Sequence, residues 1–151
     1  MKDNPASKTD RQGWMSLLAK APEGRIAACL DAGVARPAFD WLRPPEIGSV
    51  MVQGRAGGTG AAFHLGEVTV TRCALKLSDG TVGHAYLQGR RKACAEAAAL
   101  VDALMQTDQA DRIRAQVLDP LQAERTAART ARARKAAATQ VDFFTMVRGE
   151  A

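Results

Sequence analysis

The extended segments of this chain follow one another without a helix between them. Apolar and polar residues alternate over Phe63–Leu77, Ser78-Asp79-Gly80 is a tight-turn sequence, and the alternation resumes over Thr81–Leu87. Phe39–Leu42 has the same pattern before Pro44-Pro45, and Val50 and Val52 continue the alternation up to Gln53. Because strands joined by short turns pair antiparallel, the middle of the chain is predicted to be an antiparallel meander.

Two irregularities are predicted within this meander. Proline cannot donate to a strand ladder, so Pro44-Pro45 should close the first strand as a short edge strand. Along the longest strand the apolar residues change from even-numbered positions, such as Val70, to odd-numbered ones, such as Cys73. This change predicts a bulge near Thr71 and Arg72. If Arg72 faces inward it needs a carboxylate, and Glu67 or another chain could provide one.

Helical periodicity appears on both sides of the meander. It predicts helices over Asp10–Lys20, Pro22–Gly33 and Arg90–Gln106, then two helices between Asp111 and Thr139 separated before Asp119-Pro120. The predicted fold is therefore α+β: an N-terminal helical hairpin, a small antiparallel β-meander, then C-terminal helices and an apolar tail. We expect a single domain over residues 1–151, with a folded body at 10–139 and a docking tail at 140–149.

Composition limits what this chain is expected to do alone. Only 5% of its 151 residues are aromatic, and many apolar residues are alanines, so the core should be thin and a partner could cover part of it. No run approaches a membrane span and the start is polar, which predicts a cytoplasmic protein without a membrane segment.

Few residues offer catalytic or metal chemistry. Cys29, Cys73 and Cys94 have no metal-ligand spacing and are predicted to be reduced core residues. His64 and His84 stand twenty positions apart and are interpreted as structural histidines. No metal site and no catalytic residue is therefore predicted in this chain.

The positive charge is concentrated near the C-terminus. Residues 111–139 hold seven basic and three acidic residues, which gives +4 of the chain's net +5. Such a helix can follow phosphates, so a nucleic-acid-binding module is one alternative. No aromatic residue is interleaved for base stacking, and a solvated or partner-facing helix is the favoured interpretation.

A glycine-rich segment links the first two extended stretches. Arg55, Gly57, Gly58, Thr59 and Gly60 could present backbone N–H groups and a guanidinium to a phosphate. The lysine of a phosphate-binding Walker loop is absent, and the segment joins strands instead of opening a helix. Phosphate binding and a plain hairpin turn both remain open, with the turn favoured.

The segment 141–149 is apolar although it stands at a chain end. Such residues need cover, either from the chain's own sheet or from another subunit. We predict that they dock on a partner subunit. The predicted interface residues are Asp142, Phe143, Phe144, Met146 and Arg148.

Several segments, in chain order, also carry a family resemblance. They are Arg11-Gln12-Gly13-Trp14-Met15, Arg55-Ala56-Gly57-Gly58-Thr59-Gly60 with Phe63, Gly66-Glu67-Val68-Thr69-Val70-Thr71-Arg72, Asp79-Gly80, Gly89-Arg90, Asp102-Ala103-Leu104 and Val141-Asp142-Phe143-Phe144-Thr145-Met146-Val147-Arg148-Gly149. Together they resemble the G-subunit family, PhnG, of the bacterial carbon-phosphorus lyase core complex. That family often has an acidic residue after Gly-Arg and a histidine soon after, where Arg91 and Cys94 stand here, so no role of that histidine carries over.

The resemblance implies a place in phosphonate catabolism. It implies a subunit of the alpha-D-ribose 1-methylphosphonate 5-triphosphate synthase, which needs the H, I and L subunits to displace adenine from MgATP with a phosphonate. The J subunit of the core complex then cleaves the carbon-phosphorus bond. This chain would not be catalytic alone and would bind no cofactor by itself, MgATP being a substrate of the complex, and its tail would dock on the I subunit.

Overall fold

Residues 8–33 and 35–139 are described by a computed structural model of the chain. The elements are α1 (Lys8–Ala19), α2 (Arg25–Asp31), β1 (Phe39–Arg55), β2 (Ala62–Leu77), β3 (Val82–Gln88), α3 (Lys92–Leu104), α4 (Ala110–Ile113) and α5 (Asp119–Ala138). Helices precede and follow a three-stranded antiparallel sheet along the chain, which confirms the predicted α+β class. The predicted docking tail lies outside the described residues.

The sheet has the order β1-β2-β3, and its strands differ greatly in length. β1 pairs with β2 from Phe39↔Leu77 to Arg55↔Ala62, whereas β3 pairs only with Val70–Lys76 of β2. The β1–β2 hairpin therefore continues past the end of β3 as two strands. We call its part from Ser49 to Thr69, including the connecting turn, the arm.

The first strand is not short, and the prediction that it ends before the prolines was wrong. β1 runs from Phe39 to Arg55 and contains both Pro44 and Pro45. The β1–β2 register shifts between Trp41 and Arg43 and again across the prolines. Proline is tolerated there because β1 is an edge strand with a bulge, where a missing N–H leaves no ladder partner unsatisfied.

The bulge predicted near Thr71 and Arg72 occurs on the neighbouring strand: Arg43 pairs with Ala74 and Glu46 with Arg72, so the extra residue of the β1–β2 ladder lies on β1. Thr71 and Arg72 pair in unbroken register with β3, and the shift on the β2 side lies between Gly66 and His64. The buried positions change from one face of β2 to the other at this point, because Val70 and Thr71 are both buried although they point to opposite faces. Thr71 tolerates burial because its hydroxyl donates to the Gly89 carbonyl at 2.6 Å.

One face of the sheet is covered by helices. α3 packs against all three strands and against α1 and α2, so the core lies between α3 and the sheet. Seven of the buried core residues are alanines, and Trp14 is the one aromatic among those described. This agrees with the expected core of small side chains, which lets helix and sheet approach closely.

Gly83 lies where β3 meets α3 most closely, and its substitution should be costly. A Cβ atom there would overlap the Ala99 carbonyl oxygen and lie 2.8 Å from the Ala103 nitrogen. We expect Gly83→Ala to lower the free energy of unfolding by about 1–3 kcal/mol, measured by urea denaturation. Gly66→Ala, also in a strand but with nothing within 4 Å, is the control. Equal midpoints for the two variants would contradict this packing.

The C-terminal helices form one nearly continuous rod. A π-helical turn over Arg114–Leu118 connects α4 to α5, so the regular α-helix is interrupted before Asp119-Pro120, as predicted, although the chain keeps a helical path. Pro120 lies in the first turn of α5, where its missing N–H costs little. After Leu121 every described residue of α5 is exposed. Apart from the ion pair between Glu124 and Arg25, this part of the helix therefore has few contacts with the other described residues and projects from the body.

Candidate functional site

A buried acid joins the helices to the sheet. Asp102 of α3 is fully buried, and it accepts hydrogen bonds from Arg11 Nη2 at 2.7 Å and from Trp14 Nε1 at 2.8 Å. The His84 backbone N–H donates to the same carboxylate at 2.9 Å. Because its oxygens are occupied by donors from α1 and β3, Asp102 acts as a structural link between three elements and not as a free acid.

This link was missed by the analysis of the sequence. Arg11, Trp14 and Asp102 were noticed only as parts of the family resemblance, without a joint role. The available signal was that Asp102 is the one acid in the otherwise apolar run Ala97–Leu104 of α3. A buried carboxylate requires a cation or several donors, but the sequence does not say which of the chain's arginines supplies them.

The five predicted phosphate-binding residues are brought together at the tip of the arm. Arg55, Gly57, Gly58, Thr59 and Gly60 make up or flank the turn between β1 and β2. The Arg55 guanidinium donates to the Gly60 carbonyl at 3.1 Å, so the side chain spans its own turn. All but Gly60 are exposed. The turn is open to a partner or a ligand.

Turn geometry by itself accounts for the glycines. Gly57 and Gly58 have φ values of 59° and 81°, the left-handed region that favours glycine. A Cβ atom on Gly60 would lie 2.6 Å from the Ala56 carbonyl oxygen. These requirements hold for a hairpin turn with or without a phosphate, so phosphate binding stays a prediction.

Large apolar side chains are exposed along the arm. The exposed fractions are 53% for Met51, 46% for Phe63 and 68% for Leu65. They lie beyond the end of β3, where the described helices give the sheet no cover. Phe63 and Leu65 both lie within 4 Å of the position that a Cβ on Gly54 would take, so these two form one exposed apolar patch, and such patches are typical of protein–protein contact surfaces.

A basic groove lies between the end of α1 and the projecting helix α5. It encloses about 540 Å³. Its cationic walls carry Lys20, Arg125, Arg129 and Arg132, and its apolar floor includes Leu17, Ala21, Pro22, Leu121 and Ala128. Glu124, the acid that lines the groove, accepts a hydrogen bond from Arg25 at 2.7 Å, which lowers the pKa of Glu124. The negative charge of Glu124 is therefore balanced by the Arg25 guanidinium.

Several other polar residues of the prediction lie on the strands. His64 lies on β2 and His84 on β3, as predicted, and both are exposed, so their interpretation as structural histidines stays a prediction. Arg72 is exposed and pairs with Glu46 at 2.6 Å instead of Glu67. Glu67 accepts a hydrogen bond from the Ser49 hydroxyl at 3.1 Å. Among residues 8–33 and 35–139, no cluster of three or more metal-ligating side chains occurs.

All three cysteines are buried free thiols, as predicted. Burial raises the pKa of Cys73 to about 11. At pH 8 about one Cys73 in a thousand is then a thiolate, the reactive form. We expect the native protein to react slowly with Ellman's reagent at pH 8 and to release three equivalents once unfolded in urea. A full equivalent released at once from the native protein would contradict this burial.

The fold and these surfaces define the class of protein: a small α+β chain with an exposed apolar arm and a basic, exposed C-terminal helix. In the described part of the chain, no helix is both long and apolar enough to cross a membrane.

Comparison with known proteins specifies the family. Residues 9–149 match the model of the phosphonate metabolism protein PhnG. The chain is 46% identical over 146 residues to the alpha-D-ribose 1-methylphosphonate 5-triphosphate synthase subunit PhnG of Rhizobium meliloti (strain 1021), which covers 96% of this chain and 93% of the relative. The chain therefore belongs to the PhnG family of phosphonate metabolism proteins. Neither comparison supports the nucleic-acid-binding alternative.

Proposed function

We propose that this chain is a subunit of a ribose 1-methylphosphonate 5-triphosphate synthase and acts only within that complex. The observation that carries the proposal is the match to PhnG over nearly the whole chain, together with the name of a relative that shares 46% of its residues. The exposed apolar residues of the arm support a role within a complex, because contact with a partner would remove them from water.

The reaction itself is assigned to the assembled enzyme. In this proposal the chain works with the H, I and L subunits while a phosphonate displaces adenine from MgATP, and with J in the core complex. The described residues support a non-catalytic part: Asp102 is occupied by donors, the cysteines are buried, and the two histidines lie on strands without a metal cluster. MgATP is then a substrate of the complex, and this chain holds no cofactor of its own.

Co-purification tests this proposal. A tagged form of the chain is expressed together with the H, I and L subunits and analysed by size-exclusion chromatography. We expect one peak that contains this chain in fixed ratio to its partners. A complete complex of the other subunits with this chain eluting separately would contradict the proposal.

Arg55 tests whether the arm tip reaches the substrate. If the turn contacts triphosphate or phosphonate, Arg55→Ala should lower turnover about tenfold or more without loss of assembly, because a charge-assisted donor to a phosphate is removed. Adenine release by the purified complex is the measurement. Arg114→Ala, which removes an exposed arginine far along the chain, is the control. Normal turnover of the Arg55 variant would leave Arg55 as a turn residue only.

A further inference from the structure

The basic groove is a surface to which no role has been assigned. We propose that it binds an acidic segment of another subunit of the synthase, with carboxylates against its arginines and apolar side chains against its floor. This inference rests on the proposed function, since it requires a partner subunit. It specifies which surface of this chain is used and what chemistry the partner presents.

The arginines of the groove are available for an external partner. The side chains of these residues form no hydrogen bond or ion pair with another described residue: Arg125, Arg129 and Arg132. They are four and three residues apart on one helix, so they lie on one face of α5. At 1.5 Å per residue they extend over about 10 Å. Such a row matches acidic residues spaced over two turns of a partner helix.

The chain itself leaves this charge unbalanced. Glu124 is already paired with Arg25, and Lys20 donates to the Ser16 hydroxyl at 3.2 Å, a bond that keeps its positive charge. From Arg125 to Ala138, α5 contains no acidic residue. An acidic partner would neutralise this end of the helix, and charge complementarity of this kind sets both orientation and association rate.

The shape of the groove favours a protein segment over a small anion. All three arginines are exposed and spread along the helix, whereas a phosphate site converges several fixed donors on one point. The floor is apolar, with Leu17 and Leu121 beneath it. An amphipathic segment with acidic and apolar faces satisfies both the walls and the floor. A nucleic acid would lack aromatic partners there among the described residues, because none of those that line the groove is aromatic.

Competition for a place in the complex tests this inference. Differently tagged wild-type and variant chains are co-expressed with the H, I and L subunits, and their ratio in the purified complex is measured. We expect Arg129→Glu to be under-represented by about tenfold or more, because it places a carboxylate against carboxylates. Arg134→Glu changes the charge equally on the opposite face of α5, outside the groove, and should enter at parity.

Each outcome decides the question. Under-representation that is partly relieved in Arg129→Gln, which removes the repulsion, supports the inference. If Arg129→Glu enters an intact complex as often as the wild-type chain does, the inference is overturned and the proposed function stands. Parity with a raised KM for MgATP also overturns it, since the groove would then hold nucleotide. If wild-type chain does not enter any complex, the proposed function fails and the inference with it.

Discussion

Replacing Asp102 with alanine lowers the free energy of unfolding by about 3–5 kcal/mol, the largest stability loss expected of any single substitution described for this chain. The change leaves the Trp14 indole N–H and the His84 backbone N–H without an acceptor inside the protein. Arg11 is also released, but its side chain is 32% exposed and recovers part of its hydration. For a chain of this length the loss corresponds to a melting temperature lower by roughly 10 °C.

Two further variants sharpen this prediction. Asp102→Asn keeps the shape but turns one acceptor into a donor, so its stability should lie between those of wild type and Asp102→Ala. Asp108→Ala removes an exposed carboxylate soon after the end of α3 and should change the unfolding free energy by no more than about 0.5 kcal/mol. Calorimetry or thermal circular dichroism gives the values. A melting temperature for Asp102→Ala equal to that of Asp108→Ala would contradict the structural link.

Truncation after Thr139 is expected to leave a folded chain that no longer assembles. Together Phe143, Phe144 and Met146 can remove several hundred Å² from water, worth several kcal/mol at about 25 cal/mol per Å². The core that the structure describes lies between α3 and the sheet and is formed by residues from Trp14 to Leu121. Loss of the tail should therefore reduce co-elution with the I subunit strongly while the melting temperature stays near that of wild type.

The control for this truncation removes only Glu150 and Ala151, which keeps the apolar segment complete. That shorter deletion should assemble as wild type does. Full-length chain with Phe143→Ala and Phe144→Ala should behave like the truncation, because the two rings supply most of the apolar area. Stoichiometric co-elution of the truncated chain would show that the tail is not the docking element and would leave the arm and the basic groove as interface surfaces.

The sequence predicted the helices and strands more accurately than the residues at which they begin and end. The tight turn before β3 was recognised because Asp79 and Gly80 have specific turn chemistry: Gly80 has a φ of 89°, and Asp79 accepts a hydrogen bond from the Thr81 N–H. That bond lowers the pKa of Asp79. The prolines correctly predicted an edge strand, but not its length, because the register shifts that let β1 continue through Pro44 and Pro45 depend on its pairing with β2 and not on the local sequence.

The site was harder to predict than the fold. The glycines at Gly57 and Gly58 were identified as a turn because only local conformation is involved. The basic groove requires Lys20 and Arg129 to line the same surface, although 109 positions separate them in the sequence. Likewise Arg11 and Asp102 are joined across 91 positions. Such pairs depend on how the helices pack, and a single sequence contains no direct record of that packing.

Adenine release measures the central claim most directly. The H, I and L subunits are incubated with MgATP and methylphosphonate, with and without this chain, and free adenine is quantified by chromatography. We expect release only when the chain is present with its partners and none from the chain alone. Release at the full rate from the chain alone, or an undiminished rate from the other subunits without it, would contradict the assignment of this protein as a required but not independently catalytic subunit.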